Sequence, residues 1–190
     1  MLIGKHVRLR IVDSVDADYL RQLRNSPAVA SQFQSRHFIN DVAQKEFIAR
    51  LAGTAENLYF IAEYAVSGER FGVYFVRHVD HRNQRGENGV FLDPEVHSDG
   101  VVALEAAFLL LQYEFSYLNL QKICAVVLAS NTKAIRFNEA LGMKPEGLQK
   151  KHVYFDGAFH DLILFSLFRE DFEQTPTPII RSFRTKLVDT

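Results

Sequence analysis

The stretch DPEVHSDGVVALEAAFLLLQYEF, Asp93 to Phe115, decides how this chain is read. A turn-rich piece with a single glycine, Gly100, runs directly into a long and almost wholly apolar segment. Its polar positions, Glu105, Gln112 and Ser116, fall on one narrow side. That pattern predicts a helix from about Gly100 to Tyr117, buried nearly all round. Before it stands ENGVFL (Glu87 to Leu92), which reads as a strand. After it stands KICAVVL (Lys122 to Leu128), apolar on both faces as a central strand is. Strand, helix and strand in that order should form a right-handed parallel crossover.

Outward from this unit the chain keeps giving short elements. KHVRLRIV (Lys5 to Val12) alternates as a strand, and DSVDADYLRQLRN carries a helical stripe of Ala17, Leu20 and Leu23 that Ser26-Pro27 closes. A second helix is expected from Asp41 to Leu51, capped by Asn40 and stopped by Gly53. NLYFIAEYAV and RFGVYFVRHV flank Ser67-Gly68-Glu69 as a hairpin. NTKAIRFNEALG is a short helix with Asn131 at its cap and Gly142 at its end. LQKKHVYFDGAFHDLILFSLF is a long hairpin turning at Asp156-Gly157. The fold class is α/β (α+β): one domain over residues 1–173, a mixed and mostly antiparallel sheet of six to seven strands flanked by helices. Residues 174–190, with Pro176, Pro178, Ile179, Ile180 and Phe183, read as an appendage, loose or packed on a second subunit in a homodimer.

The totals narrow the function classes. With 190 residues, 47% hydrophobic and net charge −1, the chain suits one domain with a real core. Mixed, nearly balanced charge offers no electrostatic case for nucleic acid or an anionic membrane. A single cysteine excludes a disulfide framework and points to a reducing cytoplasm. The amino terminus lacks the apolar run of a signal peptide, and no window reaches the length of a membrane span. Cys124, mid-strand, reads as core. The seven histidines show no metal spacing, so no metal is expected.

Three pieces in order, ENGVFLDPE, the turn and helix after it, and ASNTKAIRFNEALGMKPEG, resemble the GNAT acetyltransferases, in particular their RimJ/RimL-like branch. The likeness runs from GKHVRLR to LILFSLF. It implies acetyl-coenzyme A as donor, an amine as acceptor, and a splay between ENGVFL and KICAVVL that admits the pantetheine arm. The first amides of a helix have no partner inside it and carry about half a positive charge, which suits a pyrophosphate. The family's phosphate pattern falls on His97, Ser98, Asp99, Gly100, Val101 and Val102. Only the first glycine of that pattern is present, and Asp99 could cap the same amides itself. Two readings therefore stand: a degenerate cofactor cradle, and a self-capped helix.

The resemblance also assigns chemistry. Glu87 would be the general base, through a water. A backbone N–H among Val90, Phe91 and Leu92 would hold the oxyanion, with Gly89 supplying a bulge to aim it. Where relatives place an acidic tyrosine this chain has Asn138, beside Phe137. An amide can hydrogen-bond the thiol but cannot protonate it. The proton would then come from water, from the product ammonium, or from Tyr154 or Tyr74. Asn131 would hold pantetheine, or serve only as a cap. His152 and Tyr154 would line the acceptor mouth.

The segment from Asn25 to Leu51 looks somewhat like the same region of amino-sugar-nucleotide acetyltransferases, with Arg36 and His37 placed to meet a phosphate. A small amine such as an amino sugar nucleotide is thus the expected acceptor, with a protein amino terminus as alternative. A scaffold or sensor that binds acyl-coenzyme A without turnover is the other class, supported by Asp99, Val102 and Asn138.

Overall fold

The computed structural model describes residues 1–33, 36–96, 100–174 and 176–188, with side chains to residue 185. Eight strands form a single sheet: β1 (Leu2–Ile3), β2 (Val7–Ile11), β3 (Leu58–Tyr64), β4 (Arg70–Asp80), β5 (Arg85–Leu92), β6 (Lys122–Leu128), β7 (Lys144–Phe155) and β8 (Ala158–Phe168). Their order is β1-β2-β3-β4-β5-β6-β8-β7. Every pairing is antiparallel except β5 with β6. The sheet has one strand more than the sequence suggested. The addition is β1, two residues long, which pairs with Leu9 and Arg8 where no periodicity can register.

Helices α1 (Ala17–Asn25), α2 (Pro27–Ala30) and α3 (Asp41–Leu51) cover one face. Leu20, Leu23 and Val29 bury there against Ile61, Val73, Phe75 and Phe91. On the other face lies α4 (Gly100–Gln112), whose Ala106 to Leu111 are all buried with Val7, Phe60, Phe71, Tyr74 and Val76. This is the all-round apolar helix the sequence predicted, and it loosens into a wider π-type turn at Tyr113–Tyr117. The α4 carboxylate that broke the apolar pattern, Glu105, is buried and receives the His6 backbone N–H at 3.0 Å and its ring nitrogen at 2.8 Å.

α5 (Thr132–Ala140) packs on the same face as α4, turning Ala134 and Ile135 to the core, and stops at Gly142, whose φ of +89° only glycine adopts without strain. The hairpin turn at Asp156 and Gly157, at φ +50° and +77°, is the two-residue left-handed type its sequence announces. The carboxy-terminal segment is not an appendage. α6 (Arg169–Gln174) and α7 (Pro178–Val188) fold back, and Phe172, Ile180 and Phe183 join the main core. Phe183 meets Phe108 of α4 at 5.6 Å between ring centres. Proline spacing suggested a break in the chain, but the apolar triplet around the prolines finds α4. Among the described residues no helix is long and apolar enough to cross a membrane.

Candidate active site at a break in the sheet

The parallel ladder of β5 and β6 is only three rungs long: Arg85 with Lys122, Gly86 with Ile123, and Glu87 with Cys124. Beyond Glu87, β5 continues pairing with β4 as far as Leu92, and β6 with β8 as far as Leu128. The two halves of the sheet therefore part just past Glu87, as the splay expected from the sequence requires. Asp93 N–H donates to the Phe71 carbonyl and Ala129 N–H to the Asp161 carbonyl. Alternation along an antiparallel ladder then turns the backbone of Val90 and Leu92, and of Val126 and Leu128, into the gap with no strand partner. A gap edged on both sides by unpaired amides fits an extended, amide-bearing chain such as pantetheine, laid in like a missing strand.

The same alternation corrects two expectations. Phe91 N–H points to β4, so only Val90 and Leu92 of the three named residues offer a donor to the gap. Gly89 makes no bulge, because it pairs in register with Phe75. Its lack of a side chain answers a different demand: a Cβ there would lie 2.4 Å from Cζ of the Phe75 ring.

Glu87 stands at the base of the gap on the α1–α3 face. Arg77, directly opposite on β4, donates to Glu87 Oε1 through Nε at 3.0 Å and a terminal nitrogen at 2.5 Å. Oε2 makes an ion pair with His78 Nδ1 at 3.7 Å and no hydrogen bond among the described residues. The carboxylate is thus anchored by one oxygen and open at the other. Cys124 is level with Glu87 and half-buried, and burial pushes its thiol above the usual range. A protonated thiol suits a spectator, as the sequence reading had it.

His97, Ser98 and Asp99 of the expected cradle lie outside the described residues. Of its remaining members, Gly100 is exposed, and a Cβ there would meet nothing within 4 Å among the described residues. Val101 is exposed, while Val102 turns to the core and does not crowd the helix start. Asn131 caps α5, its Oδ1 accepting from Ala134 N–H at 3.0 Å. Asn138 is buried on the sheet-facing side of α5, in line with Ala134 and Leu141, and its neighbour Phe137 packs on the core.

Neither tyrosine belongs to this centre. Tyr74 points to the opposite face, where its buried hydroxyl donates to the Ala103 carbonyl at 2.8 Å; burial pushes its pKa far up. It ties α4 to the sheet. Tyr154 is 62% exposed against Phe159. Phe159 lies seven residues along β8 from Ser166, the residue level with Cys124, or on the order of 20 Å from the Glu87 rung. His152 is exposed in an irregular stretch of β7, also toward the hairpin tip.

Arg36 was expected to meet a phosphate. It instead holds the hairpin: its guanidinium pairs with Asp156, lies 3.7 Å from the Phe155 ring centre, and donates to the Ser31 carbonyl at 3.0 Å. His37 beside it is exposed. Phe33, three residues earlier, meets Phe91 of β5 at 5.5 Å. Phe33 therefore meets β5, one bank of the gap, while Arg36 meets the β7–β8 turn beyond the end of β6. Sequence reasoning missed these two contacts, and missed Arg77, although Arg77 and Glu87 sit ten residues apart around a hairpin that could have been registered.

Residues 6–144 match the acetyltransferase (GNAT) domain family. Spermidine N(1)-acetyltransferase of Escherichia coli K12 is 26% identical over 87% of this chain and 88% of its own. An uncharacterized N-acetyltransferase, p20 of Bacillus licheniformis, is 29% identical over 90% of this chain and 97% of its own. In fold, the chain superposes on spermidine N-acetyltransferase of Vibrio cholerae, solved in complex with CoA and spermine, with a TM-score of 0.80 at 19% identity, covering 87% and 96% of the two chains. A sheet parted at one parallel pairing and a family match spanning that parting agree, and the chain belongs to the GNAT acetyltransferases.

Proposed function

We propose that this acetyl-coenzyme A-dependent N-acetyltransferase acts on the primary amine of a small molecule, with Glu87 as its base. Acetyl-coenzyme A supplies the acetyl thioester. The amine enters from the α1–α3 face and gives up a proton, through a water, toward Oε2 of Glu87, while Arg77 holds Oε1. As the C–N bond forms, the carbonyl oxygen gains negative charge beside the Val90 and Leu92 N–H groups, fixed dipoles that need no reorganisation. The C–S bond then breaks. The thiol has an ordinary pKa near 8.5, so the proton it takes can come from water or from the ammonium nitrogen of the tetrahedral adduct, which leaves a neutral amide. Asn138 lies on the right side of α5 to steady the sulfur.

The observation that carries the small-molecule reading is the cover on the face beside Glu87. Phe33 lies on Phe91 of β5, within the cluster that buries Leu20, Leu23 and Val29, which narrows the way in for a folded protein's amino terminus. Polyamines are the second reading, favoured by the likeness to spermidine acetyltransferases. Against it, Glu87 is already paired with Arg77 and Asp156 with Arg36. With Arg36 occupied, an amino sugar nucleotide has lost the contact that suggested it. Free-thiol release from acetyl-coenzyme A, measured over small amines, spermidine and amino-terminal peptides, tests the reading. Release with small amines is expected. Release with peptides alone would move the acceptor to protein, and none at all would leave a scaffold.

A further inference from the structure

The face under α1–α3 carries a plate of rings beside Glu87. Tyr59 stacks on Phe75 at 5.0 Å, Phe75 meets Phe91 at 6.3 Å, and Phe91 meets Phe33 at 5.5 Å. A guanidinium sits at each end: Arg77, 5.5 Å from the Phe75 ring centre, and Arg24, 5.3 Å from that of Phe33. Arg77 is neutralised by Glu87. Arg24, half-buried in the last turn of α1, has no hydrogen bond and no carboxylate among the described residues. The ionisable groups that act on it are the Tyr59 hydroxyl and Arg77, a like charge. Burial and Arg77, opposed by Tyr59, pull its pKa below the ordinary arginine value. The helix C-terminus and the Phe33 ring offset that cost only in part.

Three other arginines of this face do have carboxylate partners: Arg10 pairs with Asp16 and Glu63, Arg21 with Asp18, and Arg70 with Asp16. With Arg24 and Arg77 positive and Glu87 negative, this group of side chains keeps one positive charge with no carboxylate to answer it among the described residues.

We infer that Arg24 is an anion-binding, specificity-determining residue: the acceptor is a small primary amine that also carries a carboxylate or phosphoryl group. Its anion lies on the Arg24 fork, which matches either group through two parallel N–H donors, while its amine faces Glu87 across Arg77. This rests on the gap beside Glu87 being the transfer site. It also weighs against a polyamine acceptor, since surplus positive charge beside Glu87 repels a polycation.

The test compares kcat/KM for matched amines: β-alanine with propylamine, 2-aminoethyl phosphate with butylamine, and spermidine. One anionic amine should be preferred at least about tenfold, carried mainly by KM, as one charge-assisted contact implies. Which one is preferred separates carboxylate from phosphoryl. Arg24→Gln should collapse the ratio to a few fold, and Arg24→Lys should restore part of it. A wild-type enzyme that takes propylamine or spermidine as well as the anionic amines overturns the Arg24 assignment and leaves the small-amine reading standing. Transfer to no amine sinks that reading instead. A binding measurement still decides the anion site then: N-acetylglycine with CoA should raise the wild-type Tm but not that of Arg24→Gln. Equal shifts, or none, reject it.

Discussion

At the scale of single residues, the proposed chemistry gathers on one rung. Glu87 is fixed through Oε1 by Arg77, and in the proposed mechanism Oε2 takes the proton. Glu87→Gln keeps the shape but cannot accept a proton as a carboxylate does. Turnover near neutral pH should fall about 10²- to 10⁴-fold, read as kcat with saturating acetyl-coenzyme A, while calorimetry still detects donor binding. An unchanged kcat removes Glu87 from the mechanism. Gly89 makes the neighbouring case. Gly89→Ala would press a Cβ into the buried Phe75 ring, so it should cost about 1–3 kcal/mol of stability by denaturant titration. Adding Phe75→Leu should recover part of that loss.

At the scale of elements, legibility followed periodicity. α3, β6 and α5 fall within a residue or so of where caps and apolar runs placed them, because Asn40 and Asn131 cap and Gly142 terminates through local geometry alone. The splay was implied by family resemblance and not by any pattern in ENGVFL or KICAVVL, since where a ladder stops pairing depends on both strands' other neighbours. Tyr74 and Arg36 misled for the same reason. A strand sequence tells which residues share a face but not which face α4 will cover, and no local signal tied Arg36 to Asp156, 120 positions away. The carboxy-terminal segment misled most. Its prolines mark a turn, yet α7 closes the core over α4. Phe183→Ala should therefore cost about 3–5 kcal/mol, seen as a lower midpoint in urea. A surface-like change of under 0.5 kcal/mol would return the segment to appendage.

At the scale of the whole molecule, two buried carboxyls on opposite faces oppose each other in pH. Asp16 is 1% exposed. Desolvation pushes its pKa up, but hydrogen bonds from Arg10 and the Asp13 N–H, with the Arg10 and Arg70 charges, bring it below the ordinary value. A lowered folded pKa contributes stability that is present above the unfolded pKa and lost as pH falls through the folded one. Glu114, in the turn after α4, is fully buried, and desolvation raises it well above the ordinary value despite the Asn88 amide at 3.3 Å. Its Oε1 has no hydrogen-bond partner among the described residues. A raised folded pKa works the other way. The acid is held neutral, and above about pH 4.5 the unfolded chain gains by ionising it, at about 1.4 kcal/mol per pH unit until the folded pKa is reached. Glu114→Gln keeps the acceptor that Asn88 uses and removes the ionisation. Its Tm should match the wild type near pH 4 and exceed it increasingly toward pH 8. Asp16→Asn should do the reverse, costing about 3 kcal/mol at pH 7 and progressively less as pH falls below the ordinary carboxylate pKa, because it leaves Arg10 short of a buried partner. A Glu114→Gln protein that gains nothing between pH 4 and pH 8 would show the carboxyl already ionised in the fold, with water or a cation at Oε1.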